Sequence, residues 1–313
     1  MHWNLRELFD KYIDECRFAK RLRTETVRGY SEVFRTFSVV MPEIVTAAEV
    51  NMEILTVFFK RIESRERKVG SDQTKRGVKA STIKTYGSKL NTFFDWLLRN
   101  GHIQRNPVSL IRLPMPVYED HRALKRNEVE KIIAAIATHA KTPFIMRRDL
   151  AMVYTFLFCG LRKNELLSLK VSDIDPYERL LTVKAETSKS KKTRRLHLHP
   201  SLWLHLSEYL KERKVAKKSC AYLWVASRDD EALTSHGLKH WVNRLARISG
   251  VRFHVHRFRH TFATNLGYSG ASVLKIQKLM GHSQISMTME YLRSMRAEDL
   301  SEDIDKLSIE NLA

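Results

Sequence analysis

Cysteine is scarce and poorly placed for cross-linking. Cys16, Cys159 and Cys220 are odd in number and far apart, so they form neither a disulfide framework nor a C-x-x-C metal pair, and a reducing compartment is expected. No apolar run approaches the roughly 18 residues a membrane-crossing helix needs. The opening stretch M-H-W-N-L-R-E-L lacks the apolar segment of a secretory signal. A soluble, cytoplasmic protein without membrane attachment is the expectation. Internal repeats and low-complexity tracts are also missing. No cluster of carboxylates stands ready for magnesium, and there is no H-E-x-x-H. Acidic residues are outnumbered: 35 Asp and Glu face 55 Lys and Arg, giving a net charge of +20 and a pI near 9.9. Such an excess fits a polyanionic partner, most simply nucleic acid, and provides affinity without sequence preference.

A length of 313 residues with 43% hydrophobic content allows two domains with real cores. Residues 1–112 read as helical. Leu5, Leu8, Phe9, Tyr12 and Ile13 recur at helical spacing, and Thr24 offers a cap before Val27, Tyr30, Val33, Phe34 and Phe37. Ile54, Val57, Phe58 and Ile62 mark a third helix. The polar, basic stretch from Arg61 to Lys79 has no apolar period and reads as a loop. Ser81 precedes a helix carrying Ile83, Tyr86, Leu90, Phe93, Phe94 and Leu97. Residues 113–121, with Pro114 and Pro116, read as a stiff linker. Beyond it, Asn127 opens a helix with Val129, Ile132, Ile133 and Ile136. Asp149 to Phe158 reads as a buried helix broken by Gly160-Leu161-Arg162. Short β-like runs follow at Leu180 to Val183 and Arg195 to Leu198, with Val171 to Ile174 as a third. Thr234 caps a helix that Gly250 closes. The fold class expected is mainly α with a small antiparallel β-sheet in the second domain. After Tyr291 the chain turns acidic, with Ile304, Leu307, Ile309 and Leu312 scattered through residues 301–313.

Chemistry concentrates between His254 and Tyr291. Here stand H-R-F-R-H-T (His256 to Thr261), then G-H (Gly281, His282), then Tyr291 nine residues further on. Arginine keeps its charge and presents a planar fork of donors that matches phosphate oxygens. Histidine donates or moves a proton near neutrality. A tyrosine hydroxyl, with an ordinary pKa of about 10, needs activation before it can attack phosphorus. If the segment is helical, Phe258 and Phe262 anchor one side while His256, Arg259 and His260 gather on another. The four-residue spacing of His256 and His260 is also that of a zinc pair, but neither H-E-x-x-H nor a cysteine accompanies it.

These motifs resemble the C-terminal signature of the tyrosine recombinases, the family of the phage integrases, Cre and the Xer proteins. C-G-L-R-K-N-E-L (Cys159 to Leu166) resembles the family's T-G-L-R-x-S-E-L, with Cys159 and Asn164 as departures. T-S-K-S-K-K-T-R-R-L resembles its lysine-bearing β-turn. Registering Arg194 on the family's arginine puts Lys189 on the catalytic lysine, with Lys191 and Lys192 as alternatives, and His197 stands where proline is usual. The resemblance implies a helical, SAM-like core-binding domain (1–112) and an α+β catalytic domain (122–300), joined by the linker into a clamp around double-stranded DNA. It implies catalysis by Arg162, Lys189, His256, Arg259, His282 and the nucleophile Tyr291. Glu165, as a structural buttress, and His260 support them. No metal and no cofactor are needed. It further implies a 3′-phosphotyrosyl intermediate, a Holliday junction, and a homo-tetramer on two DNA sites, with or without a paralogous or accessory protein. On the same reading the protein is nucleoid-associated, no arm-binding domain precedes the helical one, and residues 301–313 dock on a neighbour or on their own domain. Lys84, Lys191, Lys192, Arg194, Lys239 and Arg244 are candidate DNA contacts. The rival readings are a type IB topoisomerase-like nicking-closing enzyme and a non-catalytic DNA-binding protein.

Overall fold

In the computed structural model the described residues are 4–69, 73–115, 123–186 and 192–292, with no side chains described at 67–69 and 73. The chain divides into two compact units, Met1–Tyr118 and Glu119–Ala313. Much of the expected linker, and the whole tail 301–313, lie outside the described residues.

The first unit is built on four helices, α1 (Leu5–Asp14), α2 (Thr24–Val40), α3 (Met52–Ser64) and α4 (Ala80–Arg99). In α1 the apolar stripe read from spacing is the buried stripe: Leu5, Leu8, Phe9, Tyr12 and Ile13 all face the core. Asn4 opens this helix by accepting from the Arg6 N–H at 2.8 Å. The core is aromatic, with Phe9 stacked on Phe34 at 3.8 Å and edge-on to Phe93 at 5.2 Å.

Four local expectations are corrected here. Thr24 is the first helical residue of α2 rather than its cap, and Arg23 precedes it without a capping bond. In α3 the buried face is Leu55, Phe58, Phe59 and Ile62, while Val57 is 38% exposed. Both phenylalanines rotate the stripe toward themselves, since they bury the most surface. The Arg61–Lys79 stretch holds an antiparallel ribbon, β1 (Glu66–Val69) and β2 (Gln73–Arg76), with Glu66 opposite Arg76. A ribbon held by backbone pairing carries no apolar alternation, so the sequence pattern reads as a loop. Finally, Leu113 belongs to the first unit. It packs so closely on α4 that a Cβ at Gly87 would stand 2.3 Å from its Cδ2.

The second unit opens with α5 (Arg126–His139), α6 (Pro143–Cys159) and the short α7 (Lys163–Ser168). A three-stranded antiparallel sheet follows, β3 (Ile174–Asp175), β4 (Leu180–Val183) and β5 (Arg194–His197), with β4 in the middle. Residues Val171–Asp173, read as part of a strand, form a 3-10 turn, because the Asp173 carboxylate accepts from the Lys170 N–H at 2.8 Å and curls the chain. Strand β5 begins one residue earlier than expected. The remaining helices are α8 (Pro200–Val215), α9 (Ser235–Ser249), α10 (Val255–Tyr268), α11 (Val273–Met280) and α12 (Ile285–Leu292). Thr234 and Gly250 bound α9 as expected, the former accepting from the Gly237 N–H at 3.0 Å. No helix among the described residues is long and apolar enough to cross a membrane.

A charged triad sits inside this unit. Asp149 of α6 is fully buried and accepts from Arg148 at 2.8 and 3.0 Å through one oxygen and from Arg244 of α9 through the other. Removing the carboxylate strands two guanidinium groups, so Asp149→Ala should destabilise the second unit by about 3–5 kcal/mol in urea unfolding. A midpoint shift no larger than that of an exposed substitution would show the triad to be energetically idle.

Candidate active site

Three helices of the second unit end at glycines with positive φ, and two of these ends meet at the site. Helix α6 stops at Gly160 (φ 55°) and α11 at Gly281 (φ 63°). At each end the last carbonyls lack helical partners and carry the negative end of the helix dipole. Arg259, on the second turn of α10, serves both. Its Nη1 donates to the Gly160 carbonyl and its Nη2 donates to the Met280 carbonyl at 2.7 Å. The side chain is 0% exposed. Burial, with the charge of Arg162 added, lowers its pKa to about 10, so it remains a cation at neutral pH. Gly160 is also required sterically, since a Cβ there would lie 2.2 Å from the Phe262 ring.

Arg259 Nη2 also meets His282 Nε2 at 2.8 Å. Guanidinium nitrogens only donate, so Nε2 accepts and the ring proton sits on Nδ1, which points at Thr288 Oγ1 at 2.8 Å. Burial first, then the charges of Arg259, Arg162 and Arg194, lowers the His282 pKa to about 3. The imidazole is therefore neutral and, in this arrangement, has no free N–H to offer a ligand.

Glu165 of α7 is the counter-charge. It is 1% exposed. It accepts from the Arg162 N–H and Nη1, both at 3.0 Å, and from Arg194 Nη1 and Nη2 at 3.2 and 2.7 Å. Burial raises its pKa, but the hydrogen bonds and charges of Arg194 and Arg162 outweigh that and hold it down at about 2. Three guanidinium groups surround one carboxylate and one neutral imidazole, so positive charge is left uncompensated among these side chains.

Tyr291 closes the cluster from α12. Its ring centre lies 4.3 Å from that of His260 and 5.2 Å from that of His282, and the Arg259 guanidinium carbon lies 5.9 Å away. The tyrosine thus reaches Arg259 of its own chain. His256 is exposed on the first turn of α10, its pKa lowered by the packed atoms around it and by the charges of Arg259, His254, Arg162 and Lys163.

The structure therefore brings together Arg162, Glu165, His256, Arg259, His260, His282 and Tyr291 from three separate stretches of the chain. Lys189 and Lys191 lie outside the described residues; Lys192 is exposed just before β5. Arg194 and Arg244, read as DNA contacts, are bonded to the buried carboxylates of Glu165 and Asp149. Lys239 is exposed on α9, and Lys84 is exposed on α4 in the first unit, its Nζ 3.8 Å from Met115 Sδ. Among the described residues no three His, Cys, Asp or Glu side chains gather in metal-binding range. Two members of the cluster were missed in their roles: Arg194, the second partner of Glu165, and Thr288. The signal for Thr288 was weak, a lone small hydroxyl between Met287 and Met289, three residues before Tyr291.

The model of the phage integrase family matches residues 122–298. Tyrosine recombinase XerC of Alcanivorax borkumensis is 31% identical over 228 residues, covering 72% of this chain and 73% of that protein. The chain belongs to the phage integrase family. It is a tyrosine site-specific recombinase. Fold likeness extends over nearly its whole length. The Tn1549 transposon integrase in complex with a circular intermediate DNA superposes with a TM-score of 0.77 at 19% identity, covering 96% of this chain and 98% of that one. A lambda integrase tetramer bound to a Holliday junction gives 0.71 at 20% identity, covering 94% and 78%. This recombinase has a mainly helical fold, with the three-stranded antiparallel sheet of its second unit beside its arginines.

The site's titrations set an acid limit. A depressed Glu165 contributes stability that is complete above its ordinary pKa of about 4.5 and is lost as pH falls toward 2, amounting to about 3 kcal/mol. His282 acts in the same sense from about 6.5 down toward 3. Stability should therefore fall with acid through both windows, and Glu165→Gln should flatten the slope below about pH 4.5. An unchanged slope in urea titrations at several pH values would contradict this account.

Proposed function

We propose that this recombinase breaks and rejoins DNA strands at a site assembled from Arg162, Arg259, His282 and Tyr291 of one chain. The observation that carries this reading is the Tyr291 ring held against His260, His282 and the buried Arg259, beside uncompensated guanidinium charge. Attack on a phosphodiester builds negative charge on the non-bridging oxygens, and preorganised cations stabilise it at the moment it develops. Arg162 and Arg259 supply that charge. His282 stays neutral and holds Arg259 in place. His256, depressed below its ordinary pKa, is available as a neutral base or proton shuttle near pH 7.

In the proposed reaction the Tyr291 oxygen forms a bond to phosphorus as the bond from phosphorus to the 5′ oxygen breaks. The tyrosine proton leaves to a base, and the departing 5′ oxygen takes a proton from a lysine of the β4–β5 turn, with Lys189 the first candidate. The product is a 3′-phosphotyrosine, which conserves the energy of the broken bond. The 5′-hydroxyl of a partner strand then attacks that link, releasing Tyr291. Two rounds exchange strands through a Holliday junction. Double-stranded DNA is the partner that the net charge of +20 and the DNA-bound relatives support. The homo-tetramer is supported by the lambda integrase tetramer on its junction. The first unit is assigned to core binding and the second to catalysis.

A nicked duplex carrying a target site should form a covalent protein–DNA adduct in the presence of EDTA. Tyr291→Phe should form none, and Arg259→Ala should lower the rate by about a hundredfold or more. Two target sites should recombine, whereas a nicking-closing enzyme only relaxes supercoils. Tyr291→Phe that still forms the adduct, or a wild type that only binds DNA, would overturn the proposal.

A further inference from the structure

Helix α12 contributes two residues to the cluster, and the second has no role in the chemistry described above. Thr288 is 0% exposed, and its hydroxyl oxygen lies 2.8 Å from His282 Nδ1. The opposite nitrogen of the same ring lies 2.8 Å from Arg259 Nη2. The chain of bonds therefore runs in one direction: Arg259 donates to His282, His282 donates to Thr288, and Thr288 stands one helical turn before Tyr291.

We propose that Thr288 is a positioning residue for strand cleavage: by accepting the Nδ1 proton of His282 it keeps Nε2 as an acceptor for Arg259 and ties the tyrosine's helix to that arginine. The inference rests on the proposed role of Tyr291 and extends it.

Each alternative state of the ring is unfavourable. With the proton on Nε2, the ring would present a donor to the Nη2 donor of Arg259. A doubly protonated ring would face Arg259 of α10, Arg162 of the α6–α7 turn and Arg194 of β5, with Glu165 of α7 as a counter-charge and Tyr291 of α12 stacked beside it. Without the threonine oxygen, the Nδ1 proton would be buried without an acceptor. An orphaned buried donor is costly, so the ring would rotate or change tautomer, and Arg259 would lose one of its bonds. Arg259 also bonds two helix ends, so its shift would move the site without unfolding the unit.

Thr288→Val keeps the shape of the side chain and removes the acceptor; Thr288→Ser keeps the acceptor. On the nicked duplex, Thr288→Val should bind with unchanged Kd and form the adduct about ten- to a hundredfold more slowly, and Thr288→Ser should recover most of the rate. Nitrogen-15 NMR of histidine-labelled protein should show His282 protonated on Nδ1 in the wild type and in Thr288→Ser, and not in Thr288→Val. A wild-type rate in Thr288→Val, or an Nδ1 proton that persists in it, would overturn the proposal. If the valine variant fails to fold, the wild-type spectrum decides, because a His282 proton on Nε2 contradicts the assignment by itself. A wild type that forms no adduct counts against the strand-cleavage reading, while the NMR result still judges the bond to Thr288.

Discussion

Arg259 joins the ends of two helices that approach from different parts of the chain. Its guanidinium takes up the carbonyls of Gly160 and Met280, which would otherwise end in a buried region without donors. The arrangement depends on the left-handed turns at Gly160 and Gly281, which release the chain from α6 and α11 so that Arg162 and His282 project beside Arg259. One buried cation thus terminates two helices and centres the site. The same bonds keep it rigid, and a rigid cation is what stabilises charge that appears in a transition state.

The electrostatics follow from that centre. Three arginines in one buried region repel one another, and Glu165 makes the cluster tolerable by bonding two of them. His282 adds no charge because burial, and then its cationic neighbours, disfavour protonation. Positive charge is left over, and a phosphate group is the complement to it. Arg194 shows how the sheet takes part: β5 delivers its side chain to both oxygens of Glu165. The start of β5 is thereby anchored next to the arginines.

Much of this is legible in the sequence alone. The stripe of α1, the caps of α9, and the helix between the two histidines of H-R-F-R-H follow from apolar spacing and from residues that favour helix ends. The motifs around Arg162, Arg259, His282 and Tyr291 were readable because glycine, arginine, histidine and tyrosine occur there in a fixed order. Other features were hidden for physical reasons. The β1–β2 ribbon is held by backbone pairing, so its side chains carry no alternation. The α3 stripe turned toward Phe58 and Phe59 because neighbouring elements decided which face packs. The engagement of Arg194 and Arg244 by Glu165 and Asp149 joins residues 29 and 95 positions apart, and charge alone cannot say which cation meets a carboxylate and which meets solvent.

By itself the sequence determined which residues have the chemistry: the cations, the histidines and the tyrosine, with the glycines that allow helices to stop. It also determined the helical character of most segments, since periodic burial is written locally. Tertiary structure decided which of these groups meet. It buried Arg259 between two helix ends, fixed the proton of His282 by placing Thr288 beyond it, and assigned Glu165 two arginines rather than one. Those outcomes depend on distances between segments far apart in the chain, which packing sets and local pattern does not.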